Sequence, residues 1–167
     1  MGKNVKILII DDEPDTVGLV RILLDGEGFK TITATSGEEG LRKLAEERPD
    51  LILLDVVMPG MDGWETLSKI KERKEWRHIP VAMFTIRPPT VDTLAREDIE
   101  DIVDYITKPF TKQELITRIE QILDRSREIN EKRNMIVEKL GVEVADKFER
   151  WVYARMLHKN LAGIVRS

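Results

Sequence analysis

The 167-residue chain contains no cysteine, so it has neither a disulfide framework nor a thiolate metal site. It holds no phosphate-binding glycine loop, no zinc-protease motif and no serine–histidine nucleophile pattern. The apolar stretch that follows Met1-Gly2-Lys3-Asn4 ends at two acids after residue 10, too soon for a signal peptide or a bilayer span. Lys6 stands where a myristoylation signal starting at Met1-Gly2 needs Ser or Thr. A cytoplasmic protein without membrane attachment is expected. The two histidines carry no catalytic pattern: His78 reads as a loop or packing residue and His158 as helix surface.

What the chain has in quantity is charge, at 35% of residues, unevenly placed. Residues 126–167 hold nine Lys or Arg against six Asp or Glu; with a whole-chain balance of −4, residues 1–125 carry −7. An acidic body disfavours nucleic acid as its partner, and the mildly basic tail leaves that question open. The apolar share of 41% supports a core, and the length suits one domain plus an appendage.

Apolar runs alternate with helical spacing. Strands are expected at 5–10, 30–34, 51–54, 81–85 and 102–106. Helices are expected at 15–27, from Ser36 to about Arg48, at 64–72, at 91–97, and onward from a capping box at Thr111 and Glu114. Leu51–Leu54 is wholly apolar, as suits a central strand covered on both faces. This order predicts an α/β fold, a five-stranded doubly wound parallel sheet over residues 1–125, with a helical extension over 126–167.

Four charged groups stand where strands stop. Asp11 and Asp12 close the first, Asp55 the third and Lys108 the fifth. Ligands of such sheets bind at the carboxyl ends of the strands, at the switch point. An acid after a strand is by itself most often a turn or cap residue. Three carboxylates at one sheet edge, however, repel one another unless a cation neutralises them. A hard divalent ion with oxygen ligands fits, Mg²⁺ best if waters complete its shell. Lys108 supplies a point charge suited to a phosphoryl oxygen, or a structural ion pair to Asp55. Thr85 ends the fourth strand, between those bearing Asp55 and Lys108, and Tyr105 precedes Lys108 by three residues.

The segments ILIIDDEP, LILLDVVMPGMDGWE, HIPVAMFT and YITKPF, in this order, resemble the receiver domain of two-component response regulators over about residues 4–125. The resemblance implies a flavodoxin-like receiver in a phosphorelay. Asp55 would be the phosphoacceptor, charged by a sensor histidine kinase. Asp11 and Asp12 would hold Mg²⁺, with Asp12 the closer ligand, joined by Asp55 and the backbone carbonyl of Val57. Lys108 would pair with the phosphoryl group, while Thr85 and Tyr105 form a switch pair. Phosphorylation would draw Thr85 inward and let Tyr105 fill the vacated space from outside, changing the face made by the fourth helix, fifth strand and fifth helix. No enzyme activity is implied beyond self-catalysed phosphoryl acceptance and slow loss. Haloacid-dehalogenase-type phosphatases also use a strand-end Asp with Mg²⁺, but usually carry a second Asp where Val57 stands.

The chain departs from the family pattern in places. Ile86 follows Thr85 where a small residue is usual, and would narrow access to the site. Val57 and Arg87 occupy positions that tune hydrolysis, and Val57 cannot orient a water, so slow self-dephosphorylation is expected. Pro88-Pro89 replaces the usual approach to the fourth helix, and the glycine usual before the fifth strand is missing, so that helix is expected to be short or displaced.

The tail carries no catalytic motif. Leu115, Ile119, Ile122, Ser126, Ile129, Arg133, Ile136 and Leu140 keep a 4-3-4-3 spacing, a coiled-coil-like seam with two polar interruptions. After Gly141 a second helix puts Val144, Phe148, Trp151, Val152 and Met156 on one face and Leu157, Leu161 and Ile164 on another. It therefore contacts two partners or breaks near Lys159-Asn160. Self-association into a homodimer, or docking of a partner, would use Phe148, Trp151 and Leu161; the plainer reading folds them back on the receiver. The alternatives are DNA binding through Arg150, Arg155, Lys159 and Arg166, interrupted by Glu143, Asp146 and Glu149, and a single-domain phosphate shuttle or sink.

Overall fold

The computed structural model describes residues 4–166, with side chains through residue 163. Met1, Gly2 and the side chains of Ile164 and Arg166 lie outside the described residues. Five strands, β1 (Lys6–Ile10), β2 (Lys30–Ala34), β3 (Leu51–Leu54), β4 (Val81–Thr85) and β5 (Asp104–Thr107), pair in parallel in the order β2-β1-β3-β4-β5. The helices are α1 (Pro14–Gly26), α2 (Gly37–Glu47), α3 (Gly63–Glu72), α4 (Val91–Leu94), α5 (Lys112–Leu140) and α6 (Val142–Arg166).

Strand alternation builds two cores. Ile7, Ile9, Leu51, Leu53, Ala82 and Phe84 face α1 and α5, while Leu8, Ile10, Ile52, Leu54, Val81 and Met83 face α2 and α3. Every residue of β3 is buried, as its apolar run predicts. Ser36 caps α2, Arg48 ends it in the left-handed region at φ 48°, and Thr111 with Glu114 forms the expected capping box on α5.

Two boundaries differ from expectation. The fourth helix is a single turn, capped by Thr90, because residues 95–98 offer no large apolar side chain to bury. A 3-10 turn at Ile99–Asp101 follows and takes up Ile102, so β5 begins at Asp104 rather than at 102.

The helix α5 runs through residue 125 without a break, and α6 turns back along it after Gly141 (φ 90°). The inward residues of α6 are Ala145, Glu149, Tyr153, Leu157 and Leu161, each four positions from the last. This is not the face expected from the apolar residues of its first half: Val144 and Trp151 are exposed, and Phe148, Val152 and Met156 are half-buried. Of the three residues considered for association, Leu161 is buried against its own receiver while Trp151 stands 56% exposed under the Arg155 guanidinium. The helix is continuous through Lys159-Asn160 and meets two partners within its own chain, α5 and the edge formed by β5 and the 3-10 turn.

The two polar interruptions of the α5 seam are answered across this contact. Ser126 meets the Tyr153 hydroxyl, whose pKa burial pushes up to about 12. Arg133 pairs with Asp146 at 2.7 Å and Glu149 at 3.3 Å. Receiver residues complete the pairing: Arg77 lies 3.0 Å from Asp146 and His78 Nδ1 3.1 Å from Glu149.

Gly63 opens α3 directly against the Asp55 loop, donating its N–H to Val56 O at 2.9 Å, and a Cβ there would collide with the Asp55 carbonyl oxygen. Gly63→Ala is therefore expected to cost about 1–3 kcal/mol, the usual size of an overpacking penalty, and to displace Asp55. Urea unfolding of the variant, read with its capacity to take a phosphoryl label, checks both effects.

Candidate functional site

The register brings the acids together. Ile10 pairs with Leu54, and the N–H of Asp55 donates to Ile10 O at 2.9 Å, so the residues that follow β1 and β3 stand side by side. One carboxylate oxygen from each of Asp11, Asp12 and Asp55 lies within 4.8 Å of the others. Asp11 and Asp55 are buried and Asp12 is exposed. This is a hard, oxygen-only donor set with one member open to solvent, which fits a divalent ion that keeps waters.

Lys108 is placed by β5, through its N–H to Thr85 O at 2.7 Å, and is followed by a cis bond to Pro109. Its ammonium lies 2.6 Å from Asp11 and 3.9 Å from Asp55, above the Phe84 ring at 4.4 Å. The nearer partner is thus Asp11, not the Asp55 considered from the sequence. Asp11 uses its other oxygen to accept the N–H of Glu13 at 2.9 Å, so both its oxygens are engaged.

Burial pushes the Asp55 carboxyl up to about 6. Lys108 opposes that shift, the Asp11 charge adds to it, and the Val57 N–H and the Thr85 hydroxyl hold the charged form. At neutral pH the group remains mainly ionised, hence nucleophilic. Val57 is 40% exposed with its N–H 3.3 Å from Asp55 Oδ1, and Ile86, expected to crowd the entrance, stands 68% exposed.

Thr85 and Tyr105, expected to form a switch pair, both lie inward. Thr85 is buried with its hydroxyl turned to Asp55. Tyr105 is 2% exposed, and its hydroxyl donates to Arg87 O at 2.8 Å. Beside it a groove of about 320 Å³ runs between Met58, Trp64, Arg87 and Thr90.

Sequence reasoning brought every member of this cluster to one place through strand ends and family motifs. It missed Lys71, which is half-buried, donates to Arg77 O and Ile79 O, and is pushed down to about 8 by desolvation. It also missed the pairing of His78 with Glu149. The available signal was Glu149 itself, a charge standing in the four-residue stripe of α6.

Comparison with known proteins agrees with this geometry. Residues 7–120 match the response regulator receiver domain, and the chain belongs to that family. It is 39% identical over 123 residues to the alkaline phosphatase synthesis transcriptional regulatory protein PhoP of Bacillus subtilis, covering 74% of this chain and 50% of that protein. It is 40% identical over 121 residues to the transcriptional regulatory protein CpxR of Klebsiella pneumoniae, covering 72% and 50%. The chain thus spans about half the length of the curated relatives it matches. Among solved structures, the N-terminal domain of a response regulator receiver protein from Methanoculleus marisnigri is 46% identical with a TM-score of 0.59, covering 71% of this chain and 95% of that one. The chemotaxis protein CheY4 of Vibrio cholerae is 26% identical with a TM-score of 0.67, covering 72% and 100%. The fold is the five-stranded flavodoxin-like receiver fold. No helix among the described residues is long and apolar enough to cross a membrane.

Because the folded pKa of Asp55 lies above its ordinary 3.8, the metal-free fold binds that proton more tightly than the unfolded chain does. Its contribution to stability is therefore lost as pH rises from about 4 to about 6. A divalent ion binds the ionised cluster, so Mg²⁺ is expected to raise the melting temperature clearly at pH 7.5 and little at pH 5. Asp12→Asn should remove most of that gain. Thermal unfolding with Mg²⁺ or EDTA at both pH values measures it.

Proposed function

We propose that the chain is a response regulator in which Asp55 accepts a phosphoryl group from a phosphohistidine of a sensor histidine kinase, switching the Thr85–Tyr105 face to control association or partner binding. The observation that carries this reading is the convergence of Asp55 with Asp11 and Asp12 beside a shared Lys108.

An Asp55 carboxylate oxygen attacks phosphorus; the phosphorus–nitrogen bond breaks, and the imidazole leaves with its electron pair and takes a proton. Mg²⁺, held by Asp11, Asp12, Asp55 and the Val57 carbonyl, would supply neutralisation of the charge on the transferring oxygens. Lys108 lies between Asp11 and Asp55, so its ammonium turns from Asp11 to a phosphoryl oxygen without leaving the site. Thr85, already facing Asp55, donates to another, and Tyr105 is buried with its hydroxyl on Arg87 O.

The chain would be an acceptor rather than a turnover enzyme, because Val57 neither donates nor accepts protons through its side chain. The DNA-binding activity named for relatives such as MtrA belongs to proteins of which this match spans about half, in the receiver. Of the basic residues considered for DNA, Arg150 lies 3.6 Å from Asp101 and Arg155 stacks on Trp151. The tail is better read as a helical extension serving the receiver's output.

Acetyl phosphate with Mg²⁺ is expected to label the protein to about one equivalent, and Asp55→Asn to abolish labelling while leaving the circular dichroism unchanged. Full labelling of that variant would sink the assignment.

The purified phosphoprotein should persist far longer than seconds. Val57→Asn, which can hold a water, is expected to speed its loss roughly tenfold, a change of about 1.4 kcal/mol in the barrier. A time course of label release compares the two.

A further inference from the structure

The contact between α6 and the receiver falls on the switch itself. Leu157 and Leu161 are buried in the same packed cluster as Ile99, Ile102 and Tyr105. The helix lies along β5, the strand that carries Tyr105, and along the 3-10 turn before it. It therefore packs against the strand on which the Tyr105 ring is held. With α6 seated there, Tyr105 is inside and Thr85 is turned to Asp55.

A second observation lies in the same seam. Asp104 begins β5 and is fully buried, with Arg118 at 3.6 Å and the Tyr105 N–H at 2.8 Å. Asn160 of α6 reaches across the seam to the Asp104 side chain and helps hold its charged form against burial.

We propose that α6 is the receiver's own positive effector: its docking on β5 favours the inward Thr85–Tyr105 arrangement, and phosphorylation of Asp55 in turn tightens that docking. The inference rests on Asp55 being the phosphoacceptor. Linkage makes the coupling reciprocal: what helps Asp55 hold a phosphoryl group must help α6 stay down by the same factor. The arrangement is the opposite of an autoinhibitory cover, which phosphorylation would displace.

The test uses the full chain. Amide exchange across residues 145–163 is followed by mass spectrometry in Mg²⁺, with and without beryllofluoride as the phosphoryl mimic. Acetyl phosphate labelling is measured on the same preparations and on Asp55→Asn. The expected result is label on the wild type alone, and α6 amides that exchange at least about fivefold more slowly with the mimic, the lower end of ordinary allosteric coupling. The double variant Leu157→Ala/Leu161→Ala should bind beryllofluoride more weakly by a similar factor. If that variant does not fold, the wild-type exchange decides alone. A wild type that takes the label while α6 exchanges at an unchanged rate, or faster, overturns the coupling and leaves the phosphoacceptor standing. A wild type that takes no label at Asp55 overturns the phosphoacceptor, and the coupling with it.

Discussion

The ion pair between Lys108 and Asp11, 2.6 Å long with both side chains nearly out of solvent, holds the site together. Three carboxylates converge at the carboxyl ends of β1 and β3, and a single ammonium answers them among the groups in direct contact. One cation does not neutralise three anions. The Asp55 carboxyl is raised by its own burial; Lys108 opposes that rise, and the Asp11 charge adds a smaller push upward. A site built this way is incomplete without a further positive charge. Burial, in turn, makes Asp55 the more basic carboxylate.

The sheet transmits this to the rest of the chain. Parallel strands leave an edge, and an uncovered edge strand offers its backbone to other chains. Here β2 and β5 are the edges, and α6 packs along β5. The row of inward residues explains how one straight helix serves both α5 and the edge. Residues four apart advance by about 40° around the axis, so from Ala145 to Leu161 the buried line turns by roughly 160°. Its first half, with Tyr153 and Glu149, faces α5; its second, with Leu157 and Leu161, faces the 3-10 turn and β5.

That drift is why the sheet and site were readable from the sequence and the tail only partly so. Strand-end acids, the wholly apolar β3 and the capping box at Thr111 are local patterns, each with one structural meaning. The short α4 was foreshadowed by Pro88-Pro89 and the missing glycine. The inward face of α6 was hidden because the stripe includes Glu149 and Ala145, which an apolar count passes over, and omits Trp151, which it favours. Ser126 and Arg133 looked like defects in a seam; only the fold reveals Tyr153, Asp146 and Glu149 opposite them. Lys108 was placed correctly, but no sequence pattern ranks Asp11 above Asp55 as its partner.

The forces that seat α6 divide between strength and placement. The pairs Arg150–Asp101 and His158–Glu100, both at 3.6 Å and largely exposed, contribute little. Burial of Tyr153, Leu157 and Leu161 supplies most of the attraction, at roughly 1.5–3 kcal/mol for each aliphatic side chain. Apolar contact alone, however, tolerates sliding by a turn. Glu149 does not: it is 7% exposed, and a slip would strand its charge away from both His78 and Arg133. A buried carboxylate of this kind adds modest net stability but penalises every other register. By fixing that register, Glu149 fixes where Leu157 and Leu161 fall against β5 and the 3-10 turn.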